Sequence, residues 1–263
     1  HGIDVWYGLH GMKKKFLSRA DCILSVSRFT KDKMVQNHGL DPQRIIVFPD
    51  TLDPYFNIPE NFGKNAQIMA KLGISKKDRV MLTVCRLSSK EKYKGYDRVV
   101  EALPSIIKIE PEIKYVIVGK GDYREIERVE TLSRKLGVAD RVILAGFVPN
   151  GDLTDYYTLA DVFILPSRGE GFGIVYLEAL VCGRPVITGN KDASVEAILD
   201  GQLGISVDPD DTEEITAAVT GILRGDEDRN LTDSYRLQSA ALSHFGFKAF
   251  KNRLKELIKK RGG

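Results

Sequence analysis

Cysteine is scarce: the 263 residues hold three, Cys22, Cys85 and Cys182, an odd number scattered through apolar runs. No CxxC spacing or histidine cluster accompanies them, so neither a disulfide framework nor a zinc site is indicated. They read as reduced core residues of a cytoplasmic protein. No run of 18 or more apolar residues occurs, which leaves no candidate membrane-spanning helix, and no signal-peptide pattern is visible. The net charge of +3 is too small to argue for a nucleic-acid partner. One local basic stretch, 247–263, is suited to a weak peripheral contact with acidic lipid or another polyanion, although such runs are usually the solvated face of a helix. An initiator methionine is also missing, and "HGIDVWYGLHG" offers no starting strand, so the chain reads as a piece of a longer protein.

What is present is ordinary for a globular chain, with 43% hydrophobic and 29% charged residues. From residue 79 onward, short β-branched and apolar runs alternate with segments of helical period. The strand candidates are 79–87, 114–121, 141–148, 161–167, 184–190 and 204–209. They are apolar at nearly every position, which predicts a parallel sheet covered on both faces. The segments between them, 96–111, 123–137, 152–160, 173–183 and 195–201, are long enough for right-handed crossover helices. The fold class expected is α/β: one doubly wound parallel-sheet domain. Residues 1–52 show the same grammar in miniature, with strands in "DCILSVS" and "RIIVFPD" around the helix "RFTKDKMVQNHG". The expected organisation is a remnant of a second α/β domain and a linker over 1–55, and a complete domain with C-terminal helices over 56–263.

Ligands of such sheets bind beyond the carboxyl ends of the strands, which directs attention to the loops. In "PSRGEGFGIVYLEALVCG" (166–183), glycines let backbone amides approach a ligand, and the following helix offers unpaired N–H groups suited to a diphosphate. Glu170 in the turn can accept hydrogen bonds from sugar hydroxyls, and Glu178, just over one turn into the helix, can do the same at the other end of a nucleotide sugar. Taken alone, a glutamate near a helix start is equally explained by the macrodipole. In "CRLSSKEKYKGYD", Arg86 follows a strand end and Lys94 precedes a glycine and a helix. A guanidinium fork and an ammonium together neutralise a diphosphate and stabilise charge on a departing one. The plainer alternative is an exposed lysine-rich loop.

Two motifs are set aside. "VGKGDYRE" has Gly119 and Gly121 but Arg124 where a dinucleotide fingerprint needs its third glycine, so a tight turn is expected. "VDPDD" (207–211) matches a short DxD pattern, but Asp and Pro are turn residues and Asp211 or Thr212 is placed to cap the next helix. No metal site is expected.

Together, "CRLSSKEKYKG", "YVIVGKGD", "RVILAGFV", "LADVFILPSRGEGFGIVYLEALVCGRPVI" and "GISVDPDD" resemble the retaining glycosyltransferases of the GT-B superfamily, specifically the glycosyl transferases group 1 (GT4-like) family. The pieces run in family order over about 79–225, and the E-x7-E segment is the most specific. "HGIDVW" and "RADCILSVSRFTKDKM" resemble the closing part of the family's acceptor-side domain. The resemblance implies that Arg86 and Lys94 bind the donor diphosphate, that Glu170 meets the transferred sugar and that Glu178 meets the ribose. Main-chain groups of Phe172, Gly173 and Ile174 would line the sugar and phosphate pocket, and Val148 would contact the base. His1 matches a histidine that reaches across the cleft to the sugar. One departure stands out: "FPDTLDPYF" replaces the asparagine-glycine pair that many relatives carry after the linker strand.

The implied activity is transfer of a hexose from a nucleotide-diphosphate sugar to an acceptor hydroxyl with retention, in polysaccharide or glycan biosynthesis. No cofactor or metal is implied beyond the UDP- or GDP-linked donor, with UDP favoured, and the acceptor would be a glycan or lipid-linked sugar. As given, the chain is expected to bind donor without catalysing transfer alone. The alternatives are a sugar-nucleotide epimerase of the same architecture and a binding-only module.

Overall fold

The computed structural model describes residues 1–9 and 11–261. Its main layer is a six-stranded sheet of β3 (Arg79–Val84), β4 (Ile113–Val118), β5 (Val142–Gly146), β6 (Val162–Leu165), β7 (Val186–Gly189) and β8 (Ile205–Val207). The order is β5-β4-β3-β6-β7-β8, and every pairing is parallel. Each of the six predicted strands is present, shortened at its carboxyl end where the apolar run continues into a loop.

Alternation along the strands builds two cores. Val80, Leu82, Val84, Phe163 and Leu165 face one layer of helices, α7 (Leu153–Leu159), α8 (Ile174–Val181) and α11 (Ser234–Phe245), through Tyr157, Leu177 and Leu237. Met81, Ile117, Ile164 and Ile187 face α5 (Tyr96–Ile109), α6 (Tyr123–Lys135) and α10 (Thr212–Arg224), through Val99, Val129 and Ile215. Burial on both faces is why the strands carry apolar residues at consecutive positions.

From β3 the chain steps outward to β4 and β5, then returns to lay β6 on the opposite edge of β3. The strand order therefore reverses between β3 and β6. Loops leaving these two strands diverge to opposite faces and open a crevice between them. The loop after β3 carries Arg86 and Lys94, and the loop after β6 carries 166–173.

The N-terminal residues form a smaller unit: α1 (Ile3–Trp6), α2 (Met12–Arg19), α3 (Arg28–His38) and a two-stranded parallel sheet of β1 (Ile23–Ser25) and β2 (Ile45–Val47). A linker containing α4 (Ala66–Lys71) joins it to β3. The two parts also touch directly. The carbonyl of Phe245 accepts from the Leu52 N–H at 2.9 Å and the Thr51 hydroxyl at 2.8 Å, and α12 (Phe247–Arg261) returns to the N-terminal unit, packing Phe250 edge-on against Phe48. The helix expected over 195–201 is only the short α9 (Ser194–Ala197), because Leu199 and Asp200 turn into the left-handed region with φ of 51° and 53°.

Candidate functional site

A cavity of about 410 Å³ lies between the N-terminal unit and the carboxyl ends of β3 and β6. Its walls include Arg86 and Lys94 from the first loop, Glu170 and Phe172 from the second, and Gly173, Ile174 and Val175 from the start of α8. His1, Gly2 and Asp50 close the other side.

The first loop is held from three directions. Asp122, the N-cap of α6, accepts from the Ser89 N–H at 2.8 Å. Leu87 bridges to Gly121, so "VGKGD" serves as a tight turn that fastens the neighbouring loop. The Arg168 N–H donates to the Tyr93 carbonyl at 2.9 Å, linking the two loops. The loop is split between its two readings: the Arg86 side chain is 76% exposed and bonded to Glu91 at 2.5 Å, as in an open charged loop, whereas Lys94 is 15% exposed and paired with Glu170. Burial pulls the Lys94 ammonium down, but the adjacent Glu170 carboxylate more than offsets it and leaves Lys94 above its usual value. Neither cation stands free, as the sequence suggested; each meets a carboxylate that becomes visible only in three dimensions.

The second loop is shaped by close approach. A Cβ on Gly171 would lie 2.6 Å from the Gly2 Cα, so the two backbones pass with no room for a side chain. Gly173, with φ of 95°, is the N-cap of α8, and no side chain caps that terminus. Ile174 and Val175, in its first turn, line the cavity, and the unpaired N–H groups of a helix start suit an anion. The backbone of Glu170 is fixed by Asp192, which accepts its N–H at 2.6 Å, and by the Ala193 N–H, which donates to its carbonyl at 3.1 Å.

Two expected site residues lie apart from this cavity. Glu178, one turn further along α8, accepts from the Tyr157 hydroxyl at 2.6 Å. Burial raises its carboxyl above the usual range, opposed by that hydrogen bond. Val148 is buried in the core with Tyr157, and its side chain contributes packing. Phe172 is both wall and core, being 2% exposed and edge-on to Phe245. The acids of "VDPDD" are occupied: Asp208 and Asp210 bind Lys191 at 2.7 and 3.1 Å, Asp210 also bonds Arg98 at 3.2 Å, and Asp211 caps α10.

Sequence reasoning missed Asp50, Asp192 and Glu196. Asp50 lies in "FPDTLDPYF", the linker segment noted for departing from an asparagine-glycine pair, and that departure was its only signal. Burial raises its carboxyl above the usual range. Nothing local distinguished Asp192 or Glu196 from turn and helix residues.

The glycosyl transferases group 1 family matches residues 64–236. Among curated proteins, the chain is 32% identical over 270 aligned positions to the GDP-mannose-dependent alpha-(1-6)-phosphatidylinositol monomannoside mannosyltransferase of Mycolicibacterium smegmatis, covering 98% of this chain and 68% of that protein. It is 31% identical over 223 positions to the D-inositol 3-phosphate glycosyltransferase of Acidothermus cellulolyticus, covering 80% of this chain and 48% of that protein. The chain thus spans about half to two thirds of the length of these relatives. Its fold matches Anabaena Alr3699/HepE in complex with UDP-glucose with a TM-score of 0.80 at 19% identity, over 99% of this chain and 71% of that one. It also matches the sucrose-phosphate synthase of Thermosynechococcus elongatus with a TM-score of 0.76 at 24% identity, over 94% and 60%.

Proposed function

This chain belongs to the glycosyl transferases group 1 family, and we propose that it is the donor-binding part of a retaining, metal-independent hexosyltransferase of the GT-B type. One observation carries the reading: Arg86, Lys94, Glu170 and the uncapped start of α8 surround a single cavity at the point where the strand order reverses. Two cations and a row of backbone N–H groups fit a diphosphate, and the adjacent carboxylate fits the hydroxyls of the attached sugar.

In the proposed reaction, an acceptor hydroxyl oxygen bonds to the anomeric carbon from the face the phosphate leaves. The bond from that carbon to the phosphate oxygen breaks, and the departing phosphate takes the acceptor's proton. Arg86, Lys94 and the α8 terminus stabilise the charge that collects on the diphosphate. Glu170 holds the sugar, while Glu178 would take the ribose and the Val148 main chain the base. His1 would reach the sugar from across the cleft.

The sequence favours UDP, but the mycobacterial relative is named for GDP-mannose, which gives a guanosine donor equal standing. That name also supports an acceptor at a lipid headgroup, with α12 carrying Lys248, Lys251, Lys255, Lys259 and Lys260 towards a cytoplasmic membrane surface. Residues 1–55 are assigned to the acceptor side and 56–263 to the donor side. The chain as given is proposed to bind donor without completing transfer.

The test is calorimetric titration with UDP, GDP, UDP-glucose and GDP-mannose. Micromolar to millimolar binding of one pair is expected, weakened in Arg86→Ala and in Glu178→Ala. Unchanged affinity in both variants, or sugar transfer by the 263 residues alone, would overturn the corresponding part of the reading.

A further inference from the structure

The segment from Asp192 to Asp200 is bonded at one end to the loop carrying Glu170 and at the other to the N-terminal unit. Asp192 is 2% exposed. One of its oxygens accepts the Glu170 N–H at 2.6 Å, and the other accepts the Ser194 N–H at 2.9 Å and the Ser194 hydroxyl. Four residues on, the Glu196 carboxylate faces the first turn of α3. Its two oxygens accept the N–H groups of Arg28 and Phe29 at 2.8 and 2.9 Å, which supplies orphan donors of that helix with partners from another part of the chain. The Arg28 guanidinium lies 3.2 Å from Glu196 and meets both oxygens of Asp200 at 2.6 and 2.7 Å. Asp200 makes that bidentate contact from a left-handed backbone with φ of 53°, a conformation that surrounding contacts must hold in place.

We propose that residues 192–200 form a strap through which docking of the N-terminal unit sets the position of Glu170, with Asp192 and Glu196 as its positioning residues. Asp192 and Glu196, four positions apart, each hold a backbone amide through a short carboxylate-to-amide bond, so movement at one end is passed to the other with little slack. The inference rests on the proposed reading only in treating Glu170 as a contact to the donor sugar.

Hydrogen exchange of the amides at 168–173 tests it in the ligand-free chain. Glu196→Gln keeps the size of the side chain but can accept only one of the two α3 donors. Exchange at the Glu170 amide is expected to speed up about tenfold in this variant, although residue 196 does not touch residue 170. Asp192→Asn, which sets an NH₂ group against one of the two N–H donors, is the positive control.

Nucleotide-sugar affinity should fall more than nucleotide affinity in Glu196→Gln, because only the sugar reaches Glu170. Acceleration confined to residues 28–30, or equal weakening of nucleotide and nucleotide sugar, overturns the strap. If Glu196→Gln does not fold, Asp200→Asn, altered at a side chain 55% exposed, takes its place with the same expectations. Failure of the wild-type chain to bind any nucleotide sugar would count against the proposed function, while the exchange measurement would still decide the strap.

Discussion

Lys94 and Glu170, 76 positions apart in the chain, form an ion pair in the wall of the cleft with side chains 15% and 13% exposed. Each neutralises the other before any ligand arrives. An incoming diphosphate therefore competes with Glu170 for the ammonium, and the two partners should respond to it with opposite sign.

Lys94→Ala removes a charge-assisted donor and leaves Glu170 a partly buried carboxylate facing an anionic ligand. Charge-assisted bonds of this kind contribute about 1.5–3 kcal/mol, so nucleotide-diphosphate affinity should fall by roughly 10- to 100-fold. Glu170→Gln frees the ammonium, so affinity for the bare nucleotide should hold or improve while affinity for the nucleotide sugar falls. Titration of both variants with both ligands checks the pair. Weakening of bare nucleotide by each substitution would show that Lys94 and Glu170 act together on one ligand group.

Much of the fold was legible because sheet burial forces it into the sequence: six apolar runs gave six strands, and their parallel order follows from the helices between them. That Arg86, Lys94 and Glu170 line one cavity was legible for a related reason, since loops leaving β3 and β6 must flank the crevice. Long-range pairing was not legible. Glu196 engages backbone N–H groups 167 and 168 positions away, and every residue carries an N–H, so no side-chain pattern marks the target. The same holds for Gly2 and Gly171, whose contact consists of missing atoms. Glu178 was assigned from its spacing and from the resemblance of the E-x7-E segment, neither of which reveals that a tyrosine hydroxyl from α7 turns towards it.

Gly171→Ala tests the backbone crossing. The added methyl would sit 2.6 Å from the Gly2 Cα, well inside van der Waals contact. Residues 1–4 should be displaced from the cavity wall. Increased protease cleavage near the N-terminus and weaker nucleotide-sugar binding are expected, with the melting temperature lowered by only a few degrees, roughly 1 kcal/mol in a chain of this size. An unchanged cleavage pattern would mean that the crossing relaxes without moving the segment.

Arg184 makes a prediction for stability alone. Its buried guanidinium donates to the carbonyls of Cys182 and Ala160 at 2.9 Å each, joining the carboxyl ends of α7 and α8, and lies over the Phe62 ring. Arg184→Met fills the space but leaves those carbonyls without donors, at a cost of about 3 kcal/mol. Arg184→Lys should recover little, because one ammonium cannot reproduce the planar fork. Denaturant unfolding measures both, and nucleotide affinity should remain at the wild-type value, since Arg184 does not line the cavity.

Asp192 gives the pH dependence. Burial pushes its carboxyl up to about 6, opposed by the hydrogen bonds from Ser194 and the Glu170 N–H. Between its ordinary value and about 6, the folded chain holds a proton that the unfolded chain has released. Its contribution to stability therefore grows as pH falls through 6 towards 4 and is unfavourable above 6, by about 3 kcal/mol across the window. Asp50 and Glu178, also raised by burial, contribute with the same sign, so the wild-type curve alone cannot be assigned to Asp192. Asp192→Asn removes one titration and leaves the other two. Unfolding free energies of wild type and variant measured from pH 7 to 4.5 should diverge in favour of the wild type as pH falls. Parallel curves would mean that Asp192 is ionised throughout this range, and that the bonds to Glu170 and Ser194 outweigh its desolvation.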